Sequence, residues 1–486
     1  MNQISDRSAP WREQLRAAMA AKERAAIQRV EMPMLPADER VRTFDEVNLG
    51  LSAEQARMEA TRCLDCAAPG CVGGCPVGID IPSFIKNVQR DDIGAAAAVL
   101  AEASALPAVC GRVCPQERQC ESRCIYHKMG KPAVAIGYLE RYAADTARRN
   151  GLLPPDNAAA PCGRRVAVVG SGPAGLSFAG DMVRKGYEVT VYEALHEIGG
   201  VLKYGIPEFR LPNTVVDAEL QRLSAMGVRF EKDTVVGKTL SYDDLLEAGF
   251  SGVFVASGAG LPMFMGIPGE NLNGIYSSNE YLTRINLMGA GREGFATPVE
   301  RGRRVLVVGG GNTAMDSVRT ALRMGADDAC IAYRRGREEM PARAEEIEHA
   351  LQEGVRLLTL HNPIEYVGDE KGHVRAVRLQ RMKLGEPDAS GRRRPEPIEG
   401  DIVEMEVDVV IVSVGVAPNP LVPGSFAGLD VTTRGTVAVD ESLRTSLPLL
   451  YAGGDIVRGG ATVILAMGDG RRAASAMHAT LQSQTV

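Results

Sequence analysis

The chain has 486 residues, 45% hydrophobic and 24% charged, with a formal net charge of -6 at pH 7. These values sit near the globular average and point to neither a nucleic-acid-binding nor a membrane-coating surface, while the length suffices for about three domains of ~150 residues each. No run reaches the ~20 uninterrupted apolar residues of a spanning helix, and the opening MNQISDRSAPWREQ lacks the apolar centre of a signal peptide. A cytoplasmic location is therefore expected, and structural disulfides are disfavoured there.

From the start to residue 160 the sequence reads as helices joined by cysteine-bearing loops, with no strand-period segment. Ser52 is the expected N-cap of SAEQARMEATRCL, and IPSFIKNVQRDDIGAAAAVLAEA is helix-prone with Pro82 near its start. Eight of the ten cysteines fall between Cys63 and Cys124, while Cys162 and Cys330 stand alone and read as small buried hydrophobes. Cys63, Cys66, Cys71 and Cys75 are separated by two, four and three residues, and Cys110, Cys114, Cys120 and Cys124 by three, five and three. Zinc ribbons pair two C-x2-C knuckles, and this segment has one. Prolines after Cys75 and Cys114 match the Cys-Pro ending of cluster-binding runs. Spacing thus favours two iron–sulfur clusters, with zinc and disulfides as the alternatives.

The Pro-, Gly- and Asn-rich stretch NGLLPPDNAAAPCG at 150–163 marks a linker. Beyond it, RRVAVVGSGPAGLSFAGDMVRKGYEVTVYEA runs strand, glycine turn, helix, strand. Gly170, Gly172 and Gly175 satisfy G-x-G-x-x-G, with Pro173 and Ala174 opening the helix. Glu193 closes the next strand, eighteen residues after Gly175, where a carboxylate can accept from a ribose 2′-OH. This unit is expected to hold the unphosphorylated adenosine of FAD.

The pattern recurs 139 positions later at RRVLVVGGGNTAMDSVRTALRMGADDACIAYRRG, where Gly309, Gly311 and Ala314, with Asn312 and Thr313, give G-x-G-x-x-A. The following strand ends in Arg334 and Arg335, not an acid. Guanidinium forks suit a 2′-phosphate, so this unit is expected to take NADPH. Two such sites imply hydride transfer between them, with the flavin carrying the chemistry and no catalytic acid or base required. Hairpin-like segments between 365 and 412 look like part of the second unit. Near the end, LLYAGGDIVRGGATVILAMGDGRRAA gives a strand closing on Gly454 and Asp455, then a helix from about Ala461 whose N-terminus would favour negative charge on the flavin.

LSAEQARMEATRCLDC, CGRVCPQERQCESRC, GGVLKYGIPEFRLP at 199–212, YRRGREEMPAR at 333–343 and AGGDIVRG at 452–459 together resemble the small (β) subunit of NADPH-dependent glutamate synthase, from about Arg40 to Ala479. The wider family includes the pyridine-nucleotide half of dihydropyrimidine dehydrogenase and the large subunit of NADH-dependent ferredoxin:NADP oxidoreductase. The resemblance implies an α/β protein with a helical iron–sulfur domain at 1–160, an FAD domain at 161–292 and 416–486, and an NADPH domain inserted at 293–415. It implies two 4Fe-4S clusters, one on Cys63, Cys66, Cys71 and Cys124, the other on Cys75, Cys114, Cys120 and Glu140 of AIGYLERYAAD, leaving Cys110 a bystander.

It also lays the 199–212 segment against the flavin, with Gly200 and Leu202 as contacts. Met340 and Glu345 are expected to pack or solvate a helix. Electrons would run from NADPH through FAD and the clusters to a large subunit carrying FMN, which makes two glutamates from glutamine and 2-oxoglutarate. The chain begins Met1-Asn2 rather than with the cysteine of class II glutaminases, so it is expected to supply reducing equivalents only. A pyrimidine-reducing or ferredoxin-linked partner, and a zinc-bound interaction module on a plain flavin oxidoreductase, are the other readings.

Overall fold

The computed structural model describes residues 3–154, 159–389 and 391–483. The N-terminal part is helical, built on Ala53–Arg62, Ile81–Gln89, Ile93–Ala103, Pro107–Val113 and Ile136–Arg149. Ser52 caps the first of these through a reciprocal pair with Gln55, its Oγ accepting from Gln55 N at 3.2 Å. The helix-prone stretch 81–103 forms two helices. Asp91 adopts a left-handed φ of 65°, and Asp92 caps a fresh helix by accepting from Ala95 N at 3.0 Å. No single helix among the described residues is long and apolar enough to cross a membrane, and the apolar pair Ile93–Ala103 and Pro107–Val113 is bent by 85° and largely buried. Part of the expected linker, 155–158, lies outside the described residues.

Two five-stranded parallel sheets follow. The first is ordered Leu450–Ala452, Phe250–Val255, Arg165–Val169, Glu188–Tyr192, Arg229–Glu231. The second is ordered Ile275–Ser277, Val409–Val412, Arg304–Val308, Asp328–Tyr333, Arg356–Thr359. Central strands such as VAVV and VLVV are apolar on both faces because helices cover both sides of a parallel sheet. The hairpin strands His361–Gly368, Val374–Pro387 and Arg393–Glu406 form a separate antiparallel sheet.

The chain leaves the first unit through Leu261–Pro262 and returns through Val416–Ala417, which pair antiparallel. The expected inner boundary at 293 therefore falls inside the insertion. Ile275–Ser277 already pairs with Val410–Val412, and Ser278–Asn286 packs into the second unit's core. That edge strand is three residues long, too short to carry a pattern.

One apolar core joins the N-terminal helices to the first unit, bringing Leu106 and Val109 together with Leu223, Met467 and Phe178. The C-terminal helix Val463–Ser483 is the shared wall. A Cβ on its Gly468 would stand 2.9 Å from Pro76 O, and one on its Gly470 2.3 Å from Ala174 O.

Candidate functional site

Each glycine turn follows a buried parallel strand and opens a helix. Gly170 takes φ 102° with its Cα face against the Ala256 carbonyl, where a Cβ would come within 2.5 Å; Gly309 takes φ 140° against the Ser413 carbonyl at 2.2 Å. A side chain at either position would push its sheet apart. Gly172 and Gly311, by contrast, have open space where a Cβ would stand, and each precedes the first turn of a twelve-residue helix, Pro173–Arg184 or Asn312–Arg323. Unpaired backbone N–H groups and open space together make a diphosphate cradle. Gly175 and Ala314 sit behind the turns, closing helix on strand.

Both turns open into one cavity of about 2000 Å³. Its walls carry Gly170, Gly172, Pro173, Ala174, Glu193, Gly200, Gly454 and Asp455 from the first unit, and Gly309, Gly311, Asn312, Thr313, Arg334 and Arg335 from the second. The Glu193 carboxylate is buried, and its Oε2 accepts from Ser171 N at 3.0 Å and Ser171 Oγ at 2.5 Å, while Oε1 accepts from Leu195 N at 2.9 Å. It is thereby fixed against the turn. Asp455 accepts from Ala461 N at 3.2 Å, and burial pushes its carboxyl up to about 6. The C-terminal helix begins at Val463 rather than Ala461, with Gly460 to Val463 on the cavity wall.

Two expected contacts are placed differently. Leu202 points into the apolar core and is fully buried; the helix Val201–Tyr204 presents Val201, Tyr204 and the following Gly205 to the cavity instead. Tyr204 is a cavity group that sequence reading missed. Burial, then the charges of Asp455 and Glu193, pushes its hydroxyl up to about 12, so it remains a donor. Arg335 reaches the cavity wall, but its Nη2 is paired with Asp388 at 2.8 Å and its Nε donates to Arg393 O at 2.9 Å. Arg334 is exposed and has no ion-pair partner among the described residues.

The YRRGREEMPAR loop clasps the second turn, since Ala342 N donates to Gly310 O at 3.1 Å and Arg343 N to Asn312 Oδ1 at 2.9 Å. Met340 is buried and Glu345 pairs with Arg343. From the cysteine segment, Arg118 donates to the carbonyls of Met340, Pro341 and Ala342 at 2.8–3.1 Å. This loop therefore touches both the nucleotide turn and the chain between Cys114 and Cys120.

All ten cysteines are free thiols; Cys330 is buried as expected, whereas Cys162 is exposed. Among the described residues no three His, Cys, Asp or Glu side chains stand close enough to hold a single metal ion. The eight clustered cysteines divide into two neighbourhoods. Burial, then the charges of Cys63, Cys124 and Cys66, pushes the Cys71 thiol up to about 12, and burial with Cys63 and Cys124 raises Cys66. In the second neighbourhood, the hydrogen bond with Cys110, burial and the charges of Glu140 and Cys120 raise Cys114. Burial, then Glu121, Glu140 and Cys75, raises Cys120. Thiolates gathered this way repel one another until metal compensates them, and metal binding removes their protons.

Glu140 is the odd member. Its carboxylate is buried, with Oε1 lacking any hydrogen-bond partner, an open acceptor among thiols. Cys110 shares a hydrogen bond with Cys114, and its Sγ also lies 3.5 Å from Met467 Sδ and 3.9 Å from Ser104 Oγ. By kind the donors fit iron–sulfur clusters, with Cys63, Cys66, Cys71 and Cys124 in one neighbourhood and Cys75, Cys110, Cys114, Cys120 and Glu140 in the other. The second borders the cavity, because Val113 lines it, and Cys110 and Pro76 pack on the C-terminal helix whose Val463 and Ala466 also line it. The first is the outer one, since neither its cysteines nor their chain neighbours line the cavity.

Residues 40–152 match the family described as dihydropyrimidine dehydrogenase domain II, 4Fe-4S cluster, and residues 164–477 match pyridine nucleotide-disulphide oxidoreductase. The chain is 37% identical to the glutamate synthase [NADPH] small chain of Escherichia coli K12, covering 92% of this chain and 96% of that one. It is 40% identical to the putative oxidoreductase AegA of the same organism, over 96% of this chain and 72% of that one. Among solved structures, Mycobacterium tuberculosis FprA in complex with NADPH aligns at a TM-score of 0.56 and 20% identity, over 66% of this chain and 85% of that one, a likeness of fold. The chain belongs to the glutamate synthase small-chain family and is an NADPH-dependent oxidoreductase whose cofactors are FAD and 4Fe-4S clusters.

Proposed function

We propose that the chain is the electron-input subunit of a larger reductase, most closely of the glutamate synthase type, drawing electrons from NADPH for a partner that makes glutamate from glutamine and 2-oxoglutarate. The observation that carries this is the single cavity into which both glycine turns open, with Val113, the neighbour of Cys114, on its wall and Cys110 packed behind the wall on the C-terminal helix. FAD bound there supplies exchange between two-electron and one-electron chemistry, and 4Fe-4S clusters carry single electrons.

The chain's own residues divide the remaining work. Gly170, Gly172, Pro173, Ala174 and Gly175 cradle one diphosphate, and Glu193, held by Ser171, faces its ribose. Gly309, Gly311, Asn312, Thr313 and Ala314 cradle the other. Arg334 meets the 2′-phosphate, and Arg335, tied to Asp388, braces the strand end beside it. Gly200, Tyr204, Gly454 and Asp455 line the same cavity beside the first turn. Cys63, Cys66, Cys71 and Cys124 hold the outer cluster. Cys75, Cys114, Cys120 and Glu140 hold the inner one, the open carboxylate oxygen favouring Glu140 over Cys110 as ligand.

The 40% identity to the putative oxidoreductase AegA supports a second reading, the same input module serving another reductase. Anaerobic affinity purification separates the two. Recovery of a glutamate synthase large subunit, with NADPH-dependent glutamate formation by the complex and none by the chain alone, is the expected result. Recovery of a different reductase, or glutamate formation by the isolated chain, would overturn it.

A further inference from the structure

Lys86 lies on the helix Ile81–Gln89 and is completely buried. Its ammonium donates to the carbonyl of Cys63 at 2.6 Å and to Gln89 Oε1 at 2.7 Å. No carboxylate stands within ion-pair distance among the described residues. The nearby Asp65 carboxylate is taken by Arg12, at 2.6 and 3.0 Å, and by Arg16 at 2.7 Å. Buried Arg24 ends on the carbonyls of Met19, Thr61 and Leu15, and Arg62 is matched by Glu59. Arg12, Arg16 and Arg62 thus pair with Asp65, Glu13 and Glu59, whereas Lys86 and Arg24 meet only uncharged acceptors.

An unpaired buried ammonium is costly unless a counter-charge is supplied. The thiolates of Cys63, Cys66, Cys71 and Cys124, holding iron, would supply it. In the second neighbourhood the Glu140 carboxylate has no ion-pair partner among the described residues, and burial with the Glu219 charge raises it. Adding an electron to a cluster adds negative charge, and a fixed cation in a low-dielectric interior stabilises that state.

We propose that Lys86 sets the redox poise of the outer cluster, raising its midpoint selectively so that it draws electrons outward from the cavity side. This rests on the reading that the outer cysteines hold a cluster. Lys86 acts through the field it imposes next to Cys63 and is a positioning residue for charge, not a ligand.

The test is an anaerobic potentiometric titration of the full-length, cluster-loaded protein followed by electron paramagnetic resonance. The inner signal is identified by its change in Glu140→Cys. Lys86→Met is expected to move the outer midpoint negative by about tenfold in the equilibrium constant, ~59 mV for one electron, leaving the inner midpoint in place, while Lys86→Arg stays near the wild type. If Lys86→Met fails to load the outer cluster, Lys86→Gln, uncharged but still able to donate to Cys63 O, carries the same expectation. An unmoved outer midpoint with both clusters loaded would overturn the proposal, as would equal shifts of both clusters. Loss of the outer cluster in the Met, Gln and Arg variants alike would mark Lys86 as a structural strut and overturn it too. Absence of cluster signals from the wild type would instead defeat the underlying reading.

Discussion

Arg210 Nη1 donates to both carboxylate oxygens of Asp316 at 2.6 Å, tying the 199–212 segment beside one glycine turn to the helix that begins at the other. Both residues line the cavity and both are nearly buried. Arg210 Nε also lies 3.3 Å from Glu346, which accepts from Arg319, so the pair anchors a wider network at the junction of the two nucleotide units. Removing Arg210 alone strands a buried carboxylate and is expected to cost about 3–5 kcal/mol. The double variant Arg210→Met with Asp316→Leu should recover much of that loss, because neither charge is then left alone. Denaturant unfolding of the three proteins checks this.

Acid should weaken the same junction through Glu353. Arg319 and Arg323 hold its carboxyl down at about 2 against the burial that raises it. A folded-state value below the unfolded one contributes stability in full above about 4.5 and loses it as pH falls toward 2. The gap in unfolding midpoint between wild type and Glu353→Gln is expected to be widest above pH 5 and to narrow steadily below it. A gap that widens on acidification would reverse the assigned sign.

Arg334 and Arg335 should separate cleanly in binding. Losing a charge-assisted contact to a 2′-phosphate costs about 1.5–3 kcal/mol, so Arg334→Ala is expected to weaken NADPH binding roughly ten- to hundredfold with little effect on NADH. Arg335→Ala should instead lower stability, because it removes the ties to Asp388 and to the Arg393 carbonyl that hold the hairpin against the strand end. Equilibrium titration with both nucleotides, alongside thermal unfolding, distinguishes these outcomes.

At the inner thiol neighbourhood, Glu140→Ala is expected to lose about half of the bound iron, whereas Cys110→Ala should keep it. Iron and sulfide content of anaerobically purified protein provides the check. The reverse pattern would transfer the ligand role to Cys110.

The glycine turns were legible because their constraints are local: a strand, a turn with a positive φ, and a helix start all fall within a dozen residues. Strand-end chemistry was half legible. Arg334 and Arg335 were visible as guanidinium groups, but the partner that occupies Arg335 sits 53 positions away on a hairpin. Leu202 was misplaced because a four-residue helix decides which side faces the cavity, and so short a stretch carries no usable period. The helix-prone stretch from Ile81 hid its break, since Asp91 and Asp92 read as ordinary polar residues until one adopts a left-handed turn and the other caps. Buried Lys86 and the Arg210–Asp316 pair were invisible for the same reason: their importance lies in what tertiary packing leaves around them.

The most direct test is to mix the anaerobic, FAD-loaded chain with NADPH or NADH and follow the flavin absorbance. A single cavity holding both nucleotides predicts rapid bleaching by NADPH, much slower bleaching by NADH at the same concentration, and cluster reduction afterwards. Flavin that stays oxidised under excess NADPH, or clusters reduced while the flavin is untouched, would contradict the account.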